Sequence, residues 1–218
     1  MRQLCLIVVA VTLCLTCGAQ TAGLETLGPP TPDLGVPAAV VQVLDSHGNR
    51  LKLAGGSVLC DIWLRKSVPA QTAKKESDGL LYPELTESTL VGVISFPKAA
   101  TDFRGQPIAA GPYTLRYELM PDDGNHLGVA PDRDFLLLVP AALDPDPGAV
   151  FKFDELVHMS RKATGTNHPG PLSLAQASGS ATSLRKDAED HWMFSSVLKL
   201  DSGKDLPFAL IVKGTAAQ

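Results

Sequence analysis

The sequence predicts a mainly β protein: an antiparallel β-sandwich, jelly-roll or immunoglobulin-like, with one short helix. Segments in which apolar and polar residues alternate recur along the chain, as half-buried strands require. Long polar connections separate these segments, and strands do not alternate with helices as they do in parallel sheets. The clearest alternation is at residues 113–119, where the apolar set is Tyr113, Leu115, Tyr117 and Leu119 and the polar set is Thr114, Arg116 and Glu118.

Residues 1–19 have the organisation of a secretory signal peptide. Arg2 precedes an apolar run, and Cys17-Gly18-Ala19 supplies small residues at its end. We expect cleavage after Ala19 and export to the periplasm or the medium. A lipoprotein signal with Cys17 as the lipidated residue is the alternative, but Thr16 occupies a position where a small residue is usual. No segment reaches the roughly 20 apolar residues of a membrane-spanning helix.

Composition narrows the class of protein further. Removal of the signal leaves Cys60 as the only cysteine, so no internal disulfide can form and stability has to come from the core. Cys60 lies on the apolar side of an alternating segment, which predicts a buried and unreactive thiol. The net charge of −4 and the absence of a basic stripe argue against nucleic acid as a partner.

Composition and pattern also divide the chain into elements. Residues 20–38 are rich in proline and glycine, which predicts an N-terminal linker before a single β-sandwich domain at residues 39–215. Residues 178–183 are predicted to form a flexible link. Further strands are predicted at Val40–Leu44, Arg50–Leu53, Ser57–Arg65, Thr89–Phe96, Phe135–Val139, Leu172–Leu174, Trp192–Leu200 and Leu206–Lys213.

Two of these elements carry additional information. Phe135–Val139 is apolar throughout, which is typical of a central strand covered on both faces. The helix is predicted at Asp154–Lys162, where Asp154 is the expected N-cap, basic residues stand at the end and Gly165 follows.

One stretch resembles a known family. Residues 106–115, Gln-Pro-Ile-Ala-Ala-Gly-Pro-Tyr-Thr-Leu, are similar to the Pro-x-x-Ala-Gly-x-Tyr-Ser/Thr-Leu strand entry of an exported bacterial β-sandwich domain family of unknown function. The resemblance implies a sandwich fold and export. That family has no established activity to carry over to this chain.

The connection between the strands at 113–119 and 135–139 is the first candidate site. At more than twice the usual hairpin length of about two to five residues, it is a long loop held by two firm strands. Its candidate ligand contacts are Asp122, Asp123, Asn125, His126 and Arg133, and Asp123 with His126 is the candidate metal pair. Counted from Asp122, position twelve is Arg133, where an EF-hand needs a bidentate glutamate. The alternative is a turn whose side chains bond the local backbone.

Aromatic residues offer a second candidate. Trp63, Trp192, Tyr113 and Tyr117 would form a sugar-stacking platform if they shared an exposed sheet face, and Trp63 is expected to be partly exposed. Their positions within clean alternating patterns favour core packing instead. Trp63 is therefore retained as a candidate ligand contact with core packing as the alternative.

These observations predict an exported cell-envelope protein that binds or scaffolds an envelope component or a glycan without catalysis. The alternatives are a metal-dependent or carbohydrate-active enzyme and a carbohydrate-binding module, each using the loop at residues 121–134. No resident cofactor is predicted, although the loop leaves a divalent metal open.

The signal assignment is tested by mass spectrometry of the protein purified from its exporting host. We expect a mature N-terminus at Gln20, because cleavage follows the small residues at the end of the apolar run. A diacylglyceryl group on Cys17 would contradict this prediction.

Overall fold

The computed structural model describes residues 22–72, 79–121 and 132–214 of the chain. Their regular structure is mainly β, as predicted, with two helices instead of the predicted one. The helices are α1 (Ala38–Val43) and α2 (Phe153–Thr164). The strands are β1 (Gly23–Leu27), β2 (Gly48–Lys52), β3 (Val58–Leu64), β4 (Leu90–Phe96), β5 (Ala100–Thr101), β6 (Pro107–Ile108), β7 (Gly111–Leu119), β8 (Asp134–Pro140), β9 (Pro171–Ala175), β10 (Ser183–Lys186), β11 (Trp192–Lys199) and β12 (Asp205–Lys213).

Ten of these strands form one large sheet in the order β1-β2-β3-β4-β7-β8-β9-β12-β11-β10, and β5 pairs with β6 separately. Neighbouring strands of the large sheet are antiparallel. β9 joins its two halves, because residues 171–173 pair with β8 whereas residues 174–175 pair with β12. The two edge strands, β1 and β10, approach each other.

Both faces of the central strands are covered. The inner face contributes to a large core that includes Leu115, Tyr117, Phe194 and Phe208. On the outer face, two smaller clusters form, one around Trp63 beside α1 and one on β8 under α2. The prediction that residues 135–139 are a central strand covered on both faces is confirmed, because all five are buried.

The predicted linker is partly an edge strand. Residues 23–27 pair with β2 along the full length of β1, so the sheet begins well before residue 39. The proline and glycine residues that suggested a linker follow this strand and form a turn region and a short 3₁₀ helix at Pro32–Leu34. Composition averaged over 20–38 therefore hid a strand of five residues.

One further prediction was wrong. Residues 40–44 are not a strand, because residues 38–43 form α1, which begins directly after Pro37 and buries Val40 against the outer sheet face. Packing here overrides the strand preference of consecutive valines. Of the predicted flexible link at 178–183, only Ser183 lies in a strand, as the first residue of β10, and residues 178–182 have no regular structure.

The one predicted helix is confirmed as α2, with a different cap. α2 starts at Phe153, and the Lys152 backbone N–H donates to the Glu155 carboxylate at 2.8 Å. Asp154 lies in the first turn, where a negative charge favours the helix dipole, but it is not the cap. No helix among the described residues is long and apolar enough to cross a membrane.

The polar face of β7 is buried, contrary to the half-exposed strand that alternation suggests. Arg116 is 1 % exposed and forms a two-pronged ion pair with Asp144, through Nε to Oδ2 at 2.8 Å and Nη2 to Oδ1 at 2.6 Å. The Thr114 hydroxyl donates to the same carboxylate at 2.6 Å. The segment that supplies Asp144 thus covers the outer face of β7 and keeps water from it.

Arg116 uses all of its donors. A guanidinium has five N–H groups, and the three that do not bind Asp144 are directed at backbone carbonyls. Nη1 donates to Ser88 O and Ala149 O, and Nη2 donates to Asp146 O, each at 2.8 Å. Arg116 therefore fastens residues 144–149 and the turn at Ser88 to the sheet.

Breaking this ion pair should destabilise the protein strongly. Asp144→Ala leaves a buried guanidinium charge without its counter-ion, which typically costs about 3–5 kcal/mol of unfolding free energy. Urea unfolding of wild type and variant measures the change. The double variant Arg116→Met/Asp144→Leu removes both charges and should lose less than the single variant; a single-variant loss below about 1 kcal/mol would contradict the assigned role.

Cys60 is buried on the inner face, as predicted, and burial, with the Asp61 charge, raises the pKa of its thiol well above the usual value. A buried thiol with a raised pKa holds little of the reactive thiolate. We expect a thiol reagent to modify the native protein at the rate of global unfolding. Labelling within seconds in the absence of denaturant, followed by mass spectrometry, would show otherwise.

Candidate functional site

The loop candidates divide between the described residues and the rest of the chain. Asp122, Asp123, Asn125 and His126 lie outside the described residues. Arg133 is exposed, and its Nε and Nη2 donate to the Met120 carbonyl oxygen at 3.2 and 3.1 Å. This contact joins the two ends of the β7–β8 connection. Among the described residues, no group of three histidine, cysteine, aspartate or glutamate side chains could hold a metal ion.

The expected partial exposure of Trp63 was wrong. Its side chain is 5 % exposed within the cluster beside α1, and its indole N–H donates to Gly28 O at 2.8 Å. Tyr113 and Tyr117 are buried on the opposite face of the sheet. These rings offer no shared exposed surface, and the core-packing interpretation describes their positions.

The cavity with the most distinctive chemistry lies on the outer face beside Arg116. We call it the arginine pocket; its volume is about 280 Å³. Its wall is formed by Arg65 after β3, the turn before β4, and the segment after Asp144. Its lining includes Arg65, Glu87, Ser88, Leu90, Arg116 and Val150.

Strand register brings the two arginines together. The Arg65 backbone N–H donates to Val91 O at 2.8 Å, and Leu90 pairs with Arg116 across the β4–β7 ladder. Arg65 and Arg116 therefore flank β4 on the same face. The alternation in the sequence places both arginines on the polar sides of their segments. It does not show that β3 and β7 are both neighbours of β4 in the sheet.

Arg65 differs from Arg116 in having an unused donor. Its Nη1 donates to Pro147 O at 3.2 Å, whereas its Nε is buried and has no hydrogen-bond partner. Burial lowers the pKa of Arg65, the Arg116 charge lowers it further, and Asp201 opposes both effects. Arg65 is thus a partly desolvated cation next to another cation that already has a carboxylate.

The rest of the pocket combines hydroxyl groups with apolar surface. The Ser88 hydroxyl accepts the Phe151 N–H at 2.8 Å and retains its own proton for donation. Thr86 and Thr89 also line the cavity. Val150 at the rim is 84 % exposed, an unusual state for a large apolar side chain in the described part of the chain.

This arrangement suits recognition of an anion attached to a small apolar group. The volume lies just below the roughly 300–1,000 Å³ of typical small-molecule sites, which limits the ligand to a few heavy atoms. Larger clefts occur elsewhere, including one of about 520 Å³ between Leu53 and Lys213. Their lysines are exposed, whereas the arginine pocket is lined by the buried Arg116 and the half-buried Arg65.

The arginine pocket leaves little signal in the sequence pattern. Arg65 and Arg116 are unremarkable as strand residues, and Asp144-Pro145-Asp146-Pro147-Gly148 has the composition of a chain break. The one available signal was Arg116, a charged residue between the strand tyrosines Tyr113 and Tyr117. That signal was not enough, because alternation does not distinguish a solvated charge from a buried, paired one.

Comparison with known proteins yields no relative: no family model, no curated protein and no solved structure matches this chain.

Proposed function

We propose that the protein is an exported, non-enzymatic binding module of the cell envelope that holds a small organic anion in the arginine pocket. The signal-like residues 1–19 and the resemblance at 106–115 support export. The arginine pocket supports the choice of ligand class.

The observation that carries the proposal is the unpartnered Nε of Arg65. A buried donor on a charged group costs free energy until an acceptor meets it. Arg116 cannot relieve this cost, because a guanidinium has no acceptor atom and the Arg116 charge repels that of Arg65. A ligand carboxylate at Arg65 supplies both the acceptor and the counter-charge, and such charge-assisted bonds are among the stronger ones in proteins.

The lining supports a ligand with a short apolar part. Pro69, Leu90, Pro147, Ala149 and Val150 present mostly carbon atoms beside the guanidinium. A branched carboxylate with three to five carbons has matching volume and chemistry. Binding is favoured over turnover because the lining, all of it described, combines arginines and hydroxyls with one carboxylate and contains no histidine or cysteine to activate a nucleophile.

We further propose that the large sheet folds over as a sandwich. The pairing of β9 with both halves supports this arrangement, as does a core drawn from β3, β4, β7, β11 and β12 together. In a sandwich, the arginine pocket lies on the outer surface of one layer, where a ligand can enter without opening the core.

Isobutyrate is the probe for this function, and uncharged isobutyramide is its control. Calorimetric titration should detect isobutyrate binding to wild type and none of isobutyramide. Arg65→Met should weaken isobutyrate binding at least about tenfold, because a hydrogen bond to a charged group contributes roughly 1.5–3 kcal/mol.

Arg185→Met is the matched control, since Arg185 is exposed on β10 and does not line the pocket. It should bind isobutyrate as wild type does. Absence of binding to wild type, or equal binding by Arg65→Met and wild type, would refute the proposed function.

A further inference from the structure

A second unsatisfied group lies on the same strand face as Arg116. Glu118 is two residues further along β7 and is 1 % exposed. Neither of its carboxylate oxygens has a hydrogen-bond partner of good geometry among the described residues. A buried carboxylate without partners is costly when ionised, whereas its protonated form avoids most of the desolvation penalty.

The neighbour of Glu118 is the turn that forms one wall of the arginine pocket. Ser88 N donates to Tyr117 O at 2.8 Å, and Tyr117 N donates to Thr89 O at 2.9 Å, so residues 88 and 89 extend along β7 beside Glu118. Glu87 in this turn is exposed and lines the pocket. The same turn thus faces the buried carboxyl group on one side and the ligand cavity on the other.

Ser88 is the rigid centre of this turn. Its φ of 71° lies in the left-handed region, which is unfavourable for a serine. Its carbonyl accepts from Arg116, and its hydroxyl accepts from Phe151 N–H. With the bond from the Ser88 N–H to Tyr117 O, three contacts therefore hold a backbone conformation that would relax if the turn moved away from β7.

From this geometry we propose that Glu118 and Glu87 form a proton-binding pair that controls the position of the turn at residues 86–89. With a proton on Glu118, the turn stays against β7 and the pocket wall is intact. Without it, two carboxylates repel each other across the turn, and an ionised Glu118 gains by admitting water. Because the turn is a pocket wall, loss of the proton weakens anion binding; this consequence rests on the proposed function.

Electrostatics agree with the geometry. Burial, and then the Glu87 charge, raise the pKa of Glu118 to about 7, although the Ser88 and Leu119 N–H groups oppose the change. The charge on Arg116 does not stabilise the Glu118 carboxylate, since Asp144 neutralises it.

Charges on the other elements around Glu118 are engaged or exposed. On β8, Phe135 stands opposite Glu118, and the preceding Asp134 accepts the Tyr117 hydroxyl on the inner face. Just before β8, burial and the Asp134 charge raise the pKa of Asp132. Asp132 is an acidic residue and therefore supplies no positive charge that would stabilise an ionised Glu118. The charged and titratable residues of α2 are exposed: Asp154, Glu155, His158, Arg161 and Lys162.

The direction of the pH effect follows from linkage. Glu118 binds its proton more tightly in the folded state than in the unfolded chain, where a glutamate has a pKa of about 4.3. Stability is therefore greatest below that value and falls as the pH rises to about 7, where the folded-state carboxyl ionises. The melting temperature of the wild-type protein should decline over this pH range. In Glu118→Gln, the part of the decline that is due to ionisation of Glu118 should be absent.

Amide hydrogen exchange of residues 86–89 tests the proposal without any ligand. After correction for intrinsic exchange, wild-type protection should fall at least about tenfold between pH 6 and pH 8, and Glu118→Gln should keep its protection. Glu84→Gln, a carboxylate removed from the adjoining segment, should behave as wild type. Parallel pH profiles for wild type and Glu118→Gln would overturn the proposal.

Glu87→Gln provides a second variant that leaves the buried residue in place. It removes the charge that helps to raise the Glu118 pKa, so the loss of protection should shift to lower pH. The loss should also become weaker, because an isolated Glu118 causes less strain on the turn. An unchanged midpoint and amplitude would also overturn the proposal.

Isobutyrate titration across the same pH range separates this inference from the proposed function. Affinity should fall above pH 7 in wild type and stay constant in Glu118→Gln, since isobutyrate is ionised throughout. If isobutyrate binds at no pH, the proposed function fails while the exchange result still decides whether the proton-binding pair exists.

Discussion

The outer face of this protein depends on one buried ion pair, Arg116 with Asp144. All five donors of the guanidinium are satisfied, two by the carboxylate and three by backbone carbonyls from two separate segments. The stacked Phe151 ring lies 5.1 Å from the guanidinium carbon. A strand that would otherwise face water thereby becomes a central strand, and residues 144–151 become a fixed cover rather than a mobile connection.

The same pair defines the chemistry of the pocket beside it. Asp144 neutralises Arg116 and not Arg65, so Arg65 remains partly desolvated, incompletely hydrogen-bonded and close to a like charge. Glu118 on the same face is the opposite case, a carboxylate without a cation. These two incomplete groups do not compensate each other, because the paired Arg116 lies between them along the sheet. Unsatisfied buried polar groups of this kind are rare in folded proteins.

The local sequence pattern predicted the elements whose structure depends mainly on neighbouring residues in the chain. Alternation identified β3 and β7, the continuous apolar run identified β8, and charge placement with Gly165 identified α2. The local pattern failed where tertiary packing determines the structure. The valines of α1 favour a strand by propensity but pack as a helix beside Trp63. The five residues of β1 are too few to stand out beside the prolines that follow them. The pocket was out of reach because it joins Arg65 to Arg116 across β4, and pairing between distant strands leaves no trace in a single sequence.

The most direct test of this account compares the Nε–H signals of the two arginines by ¹⁵N–¹H NMR. The Arg116 signal should exchange slowly with water and ignore isobutyrate, because its proton is bound to Asp144. The Arg65 signal should have the shift of a proton without an acceptor and move when isobutyrate is added. Equal, rapid exchange of both protons, or a response of Arg116 alone, would contradict the division of roles between a structural arginine and a binding one.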